Sequence, residues 1–176
     1  MRAAVVTVSV VLGFGAGWGA LDTTLGADDH QFDRNIAQYI ALRRQVEQHT
    51  PRPHISSDPI EISRAADAFA DAIRTARPSA TTCDIFTPAI ARELKRQPCR
   101  APDREDTGQP PAPAVNQRFD WHYAEAMPPA LIAALPPLPD ELQYRLVNCD
   151  LVLVDIEAGL VIDVVPRARL DRRRPH

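Results

Sequence analysis

This chain of 176 residues carries 23 acidic and 20 basic side chains, a formal net charge of −3, and so lacks the strong positive charge typical of nucleic-acid-binding proteins. Hydrophobic residues make up 45% of it, which suits one domain with a core or a small domain with flexible segments. Residues 167–176 contain five Arg and one Asp. We therefore expect a mildly acidic body that ends in a short basic tail, residues 167–176.

Residues 1–27 have the features of a secretory signal peptide. Arg2 precedes an uncharged run from Ala3 to Leu21, and Leu25-Gly26-Ala27 places small residues before a cleavage site. We predict cleavage after Ala27 and a periplasmic or secreted protein. Two alternatives stay open. One is an uncleaved membrane anchor, which the length of the run and its alternate glycines favour; the other is a buried helix of a cytoplasmic protein.

The next part of the chain, residues 28–97, is predicted to be a helical region. In the first helix, apolar residues recur at helical spacing from Phe32 to Val46, with Asp28 and Asp29 as caps and an end before Pro51. These positions are Phe32, Ile36, Tyr39, Ile40 and Val46.

The second helix has the clearest start in the chain, because Asp58 precedes a proline at the first helical position. Its predicted buried stripe is Ile62, Ala65, Ala66, Phe69, Ala72, Ile73 and Ala76. Charged residues occupy the opposite face, which we expect to be solvated. A third, shorter helix runs from Pro88 to about Gln97.

Residues 98–117 are rich in Pro, Asp, Glu, Gln and Arg and have hardly any large apolar side chain. Such a segment cannot bury enough surface to offset the entropy of ordering it. We predict a disordered linker there.

A small α+β module is predicted for residues 118–166. Residues 127–139 read as a two-turn helix stopped by prolines, and three strand-like runs follow at 142–147, 151–156 and 160–165. The predicted fold class is therefore α+β: a helical N-terminal half, a disordered Pro-rich linker, and a three-stranded antiparallel meander with a short helix.

The register of the meander follows from which face must be apolar. A three-residue turn at Asn148–Asp150 keeps Gln143 and Arg145 away from the apolar face, whereas a two-residue turn at Asn148-Cys149 would point them into it. We predict the three-residue turn, and a second loop at 157–159 that pairs Asp155 with Val161.

That register places Arg145 and Asp163 in one row of the outer face, with Asp155 diagonal to them. Two carboxylates beside an arginine can act as acid and base or hold a cation, although an ion-pair network on a sheet face is the commoner structure. Trp121 and His122 belong to an aromatic cluster that either packs over the sheet or stacks on a ligand. The candidates for a binding site are Arg145, Asp155, Asp163, Trp121 and His122.

Other kinds of chemistry have little support in the sequence. The five histidines show no metal-ligand spacing, and hydrolase, phosphate-loop and dinucleotide motifs are missing. We predict no catalytic residue, no metal site and no cofactor. Cys83, Cys99 and Cys149 are expected to stay unpaired, with a bridge from Cys149 to either of the others as the open alternative.

Several segments together resemble a group of exported bacterial proteins of unknown function. They are residues 59–78, residues 84–88 (Asp84-Ile85-Phe86-Thr87-Pro88), residues 127–131 (Met127-Pro128-Pro129-Ala130-Leu131), and residues 138–147 together with 150–155. The resemblance covers most of the mature chain and implies the architecture but no activity. Residues 144–147 and 159–162 are also weakly similar to the strand-turn-strand end of periplasmic nickel and cobalt homeostasis proteins, but the chain has no histidine-rich stretch.

The sequence thus favours a non-catalytic exported envelope protein that acts by binding or by structural interaction. Its partner is expected to be an envelope protein or a small ligand, not nucleic acid, with membrane contact only if residues 1–27 stay attached. The alternatives are a hydrolase-type enzyme that uses Asp155 and Asp163, and a metal-handling periplasmic accessory protein.

Overall fold

The computed structural model describes residues 22–50, 58–98 and 111–167, and the side chains of its first helix from His30 onward. Within these ranges four α-helices precede a three-stranded sheet, so the fold is α+β with a helical N-terminal half, as predicted. The helices are α1 (Asp22–His49), α2 (Pro59–Ala76), α3 (Pro88–Arg96) and α4 (Pro129–Ala134), with a short 3₁₀ turn at Trp121–Tyr123. The antiparallel strands are β1 (Leu142–Val147), β2 (Asp150–Asp155) and β3 (Leu160–Val165), in the order β1-β2-β3.

Helix α1 begins at Asp22, so Asp28 and Asp29 lie inside it and the predicted caps are wrong. Nothing between Asp22 and Ala27 stops a helix except Gly26, and one glycine costs only about 1 kcal/mol relative to alanine. From His30 onward, the first buried side chain is Phe32, followed by Ile36, Tyr39 and Ile40 as the spacing predicts. The remainder of the predicted signal peptide, residues 1–21, lies outside the described residues.

Helix α2 starts as predicted: the side chain of Asp58 accepts a hydrogen bond from the N–H of Ile60 at 2.9 Å. Its buried residues are Phe69, Ala70 and Ile73, all in the C-terminal half. Ile62 is 45% exposed and was wrongly placed in the buried stripe. Among the residues that the structure describes, the helix therefore packs through its C-terminal half.

The segment 111–117, predicted to be part of the disordered linker, is ordered along the outer edge of β3. The N–H of Asn116 donates to the carbonyl of Val161 at 2.8 Å, and the N–H of Val161 donates to the carbonyl of Gln117 at 2.9 Å. The prediction failed here because the edge of β3 offers main-chain partners that composition does not reveal. Residues 99–110 of the predicted linker lie outside the described residues.

Both faces of the sheet are covered. One face, here called the helical face, packs against the helices and is made of Leu142, Leu146, Leu151, Leu153, Leu160, Ile162 and Val165. The other, here called the valine face, packs against Phe119 and its neighbours and is made of Val147, Val152, Val154, Val161 and Val164. Burial on both sides explains why β2 and β3 are apolar at nearly every position.

The predicted register of the first hairpin is wrong. Val147 pairs with Asp150 across a turn of two residues, Asn148 and Cys149, whose φ angles are 50° and 67°. A two-residue hairpin turn with positive φ at both positions matches the twist of the strands, and asparagine tolerates it. Gln143 and Arg145 consequently lie on the same face as Val152 and Val154, the arrangement that the prediction had rejected.

The second loop, in contrast, is one residue longer than predicted. Asp155 pairs with Leu160 and not with Val161, and Leu153 pairs with Asp163. The register shifts between Leu153 and Val154, so β3 carries one extra residue in a bulge. Sequence alternation alone does not reveal such an insertion.

Two cysteines fall within the described residues. Cys149 is disulfide-bonded, which overturns the expectation that all three cysteines stay unpaired. The thiol of Cys83 donates to the carbonyl of Val164 at 3.5 Å. Cys99 lies outside the described residues.

The basic tail begins later than predicted, because Arg167 belongs to the fold. Its N–H donates to the carboxylate of Asp150 at 2.7 Å, and its guanidinium donates to the carbonyls of Leu94 and Gln97. It thus ties the end of α3 to the sheet. Residues 168–176 lie outside the described residues. Over the described ranges, no helix is both long and apolar enough to cross a membrane.

Gly159 closes the loop between β2 and β3 with a φ of 56°. We expect Gly159→Ala to lower the free energy of unfolding by about 1 kcal/mol, since an L side chain is strained at that angle. Space is not the cause: an added Cβ would meet only an Arg118 guanidinium nitrogen at 3.8 Å. Urea unfolding measures the change. Gly159→Asn, which tolerates positive φ, serves as the control and should lose less; an equal loss in both variants would contradict the conformational explanation.

Candidate functional site

Asp163 is fully buried and anchors the loop before α3 to the sheet. Its carboxylate accepts four main-chain N–H bonds of 2.7 to 2.8 Å, from Cys83, Ile85, Phe86 and Val164. Burial raises the pKa of this carboxyl above its ordinary value, although each of the four N–H donors pulls it down. The side chain is therefore a structural link, enclosed by protein and out of reach of a substrate.

Asp155 is fully buried as well, and it joins the sheet to α1. One carboxylate oxygen accepts from the Tyr39 hydroxyl and from Nε of Arg43, both at 2.8 Å. The other accepts from the N–H of Ala158 at 3.0 Å. Burial raises the pKa of Tyr39 well above its ordinary value, and the charge of Asp155 raises it further.

Arg43 is the centre of this buried network. Its side chain is only 4% exposed, and its guanidinium also pairs with Glu47 and Glu157 while lying 5.1 Å from the ring centroid of Phe69. Burial alone would lower the pKa of Arg43, but the nearby carboxylates raise it overall, so the side chain stays charged. A buried cation so surrounded stabilises the junction of α1, α2 and the β2–β3 loop.

The structure does not bring Arg145 together with Asp155 and Asp163. Both carboxylates are bound on the helical side of the sheet, whereas Arg145 lies opposite Val152 on the valine face. The two acids also have separate sets of hydrogen-bond partners. The predicted cluster of three charged residues is therefore wrong.

Arg145 instead meets Trp121. Its guanidinium carbon lies 5.4 Å from the Trp121 ring centroid, and the Trp121 ring contacts Phe119 edge-to-face at 4.8 Å. Trp121 is 44% exposed. The aromatic cluster thus packs over the sheet through Phe119 and presents a tryptophan and a cation to solvent.

These two residues lie at an open groove of about 820 Å³ along the outer edge of β1. One wall comes from the end of α4 and the prolines after it, and includes Ile132, Leu135 and Pro136. The other runs from Trp121 to Met127. Ile132 is 57% exposed, so the groove offers apolar surface to solvent. We call it the β1 groove.

His122 does not line the β1 groove, although it is next to Trp121 in sequence. Its ring is exposed and contacts Tyr123 edge-to-face at 5.1 Å, and its N–H donates to the Asp120 side chain at 2.9 Å. In the part of the chain that the structure describes, no three His, Cys, Asp or Glu side chains are grouped closely enough to hold a metal ion.

Sequence reasoning missed Arg43 and Tyr144 as site-forming residues. Arg43 lies three positions after Ile40 on the apolar stripe of α1, and a charged residue on a buried stripe signals a buried partner. Tyr144 packs its ring against Phe32 and Phe86 and donates its hydroxyl to the carbonyl of Pro136 at 3.0 Å. It thereby fixes one wall of the β1 groove.

Comparison of the chain with protein-family models, with curated proteins and with solved structures gives no match. The resemblance to exported bacterial proteins therefore stays a prediction, and the site has to be interpreted from its own geometry.

Asp163→Asn should lower the free energy of unfolding by about 2–4 kcal/mol, because the new NH₂ group faces two N–H donors that lose their acceptor. Thermal or urea unfolding of the two proteins measures the difference. Asp71→Asn is the matched control, since Asp71 is 72% exposed and its one ion pair among the described residues is with Arg74 on its own helix. That change should stay within about 0.5 kcal/mol. Similar losses in both variants would show that Asp163 does not anchor the loop.

Proposed function

We propose that this protein is a non-catalytic, exported component of the bacterial envelope that acts by binding, with the β1 groove as its binding site. The observation that carries the proposal is the composition of that groove. Exposed apolar side chains, a half-exposed tryptophan and a cation stacked on it surround one concave surface. Such a mixture of apolar walls and few oriented polar groups is typical of ligand sites.

The hydrolase alternative draws no support from this geometry. Its two carboxylates, Asp155 and Asp163, are each 0% exposed and hydrogen-bonded to other protein groups. A general acid or base has to come within hydrogen-bond reach of its substrate, directly or through one water. Neither acid lines the β1 groove. The metal-handling alternative has no clustered ligands among the described residues to support it.

Export is supported by two features. Cys149 is disulfide-bonded, and disulfides persist in oxidising compartments such as the periplasm. In addition, Phe32 is the first buried side chain from His30 onward, so cleavage after Ala27 would leave that part of the core unchanged.

A cleaved signal peptide predicts that the mature protein begins at Asp28. Intact-mass measurement and N-terminal sequencing of the protein from its native host, after separation of periplasm, membranes and medium, test this. Intact Met1 in the membrane fraction would indicate the anchor, and intact Met1 in the cytoplasm would contradict export.

Binding in the β1 groove predicts that small apolar fragments shift the fluorescence of Trp121 to shorter wavelength. Trp18 and Trp121 are the two tryptophans of the chain, so Trp18→Phe makes the signal specific. The probe is a library of soluble aromatic and aliphatic carboxylic acids, which suit the apolar walls and Arg145. We expect Ile132→Asp to weaken the best fragments at least tenfold.

Ile62→Asp is the matched control, because Ile62 is also an exposed helical isoleucine but lies on α2, away from the groove. It should leave the fragment affinities unchanged. If no fragment shifts the emission, or if both variants lose binding equally, the groove is not the binding site.

A further inference from the structure

The outer edge of β1 presents main-chain groups to the β1 groove. Because Val147 and Asp150 flank a two-residue turn, they form a hydrogen-bonded pair, and such pairs alternate along an antiparallel ladder. The N–H and C=O groups of Leu142, Tyr144 and Leu146 therefore point away from β2. Two contacts agree with this: the carbonyl of Leu146 accepts from Glu125 at 2.9 Å, and the N–H of Leu142 donates to Pro139 at 3.0 Å.

The segment that covers this edge leaves it after a single bridge. Glu125 pairs with Leu146, whereas Met127, which would pair with Tyr144 if the ladder continued, lines the groove instead. Within the described ranges, the N–H of Tyr144 and the carbonyl of Leu142 have no hydrogen-bond partner. Among the described contacts, the carbonyl of Tyr144 accepts only from Nη1 of its neighbour Arg145, at 3.2 Å.

We propose, building on the function proposed above, that the β1 groove binds an extended peptide segment of another envelope protein, which adds as a short strand beside Tyr144. One residue of the peptide exchanges two main-chain hydrogen bonds with Tyr144, and the residue two positions further donates its N–H to the carbonyl of Leu142. Strand addition to an exposed sheet edge is a common mode of peptide recognition, with affinity from the main chain and specificity from alternate side chains.

The two walls define the side chains that the peptide needs. Successive side chains of an added strand point to opposite faces of the sheet. One set therefore meets Leu135 and Pro136 on the helical side and should be apolar. The other set meets Trp121 and Arg145, where an aspartate or glutamate can pair with the guanidinium, freeing the Tyr144 carbonyl to accept from the peptide.

A second copy of this chain fits the edge poorly. In a twofold pairing centred on Tyr144, Leu142 of the second copy would lie opposite Leu146, where Glu125 already pairs. A pairing centred on Leu142 would need the N–H of that residue, which is bonded to Pro139. The open part of the edge is long enough for a short peptide but not for a second β1 strand.

The test begins with a phage-displayed library of random nonapeptides, selected on the immobilised full-length protein and counter-selected on its Ile132→Asp variant. We expect enriched sequences with alternating apolar residues and one acidic residue. The best peptide is then synthesised and its affinity measured by calorimetry. N-methylation of two peptide nitrogens spaced two residues apart should each weaken binding about tenfold or more, while methylation of the nitrogen between them should not.

Arg145→Gln should weaken the acidic peptide about tenfold but leave the same peptide with glutamine in place of its acid unchanged. Ile62→Asp should bind like the unmodified protein. An enriched peptide whose binding tolerates N-methylation at every position would overturn the proposal. Failure of the library to enrich while carboxylic-acid fragments still bind would reject the peptide and retain the groove; failure of both would reject the groove as well.

Discussion

The requirement that buried carboxylates be satisfied fixes how the helices sit on the sheet. Asp155 and Asp163 are each enclosed by protein, and an ionised carboxylate without partners costs several kcal/mol to bury. Asp155 is satisfied by two side chains of α1, and Asp163 by the main chain that leads into α3. Apolar packing alone would allow the helices to shift along the helical face of the sheet. These directional bonds set their position, and with it the depth of the core between helices and sheet.

The buried acids and the β1 groove occupy different parts of the fold. Arg43 and Asp155 form an ion pair inside the protein, so neither charge is exposed to a ligand. The β1 groove lies along the outer edge of β1, between α4 and the Trp121–Met127 segment, and neither Arg43 nor Asp155 lines it. Its one stacked cation, Arg145, has no carboxylate among its described contacts. The guanidinium of Arg145 is therefore available to pair with an anion, whereas the buried carboxylates of Asp155 and Asp163 cannot reach a substrate. For this reason the groove is better suited to binding than the two acids are to catalysis.

Much of the fold follows from the sequence, because local signals dominate it. The Asp58-Pro59 start of α2, the helical spacing in α1 and the three apolar runs of the meander are all confirmed. Three of the failures share one cause, long-range pairing that composition does not encode. The two-residue turn, the bulge in β3 and the ordered segment 111–117 each depend on which strand edge meets which main chain. Trp121 and Arg145 were assigned to different clusters, whereas the structure brings them together. A register error of one residue moves a side chain to the other face of the sheet.

The hydrogen bonds between α1 and Asp155 also affect the order in which the protein folds. Tyr39 and Arg43 bond to a residue 116 and 112 positions later in the chain, so the ribosome adds all of those residues before their partner exists. Until then the apolar stripe of α1 is not covered by the sheet, and Arg43 lacks the carboxylate of Asp155 as its partner. Contacts between distant residues form slowly because a long loop must close first. The core that α1 shares with the sheet is therefore completed only when the C-terminal meander has formed.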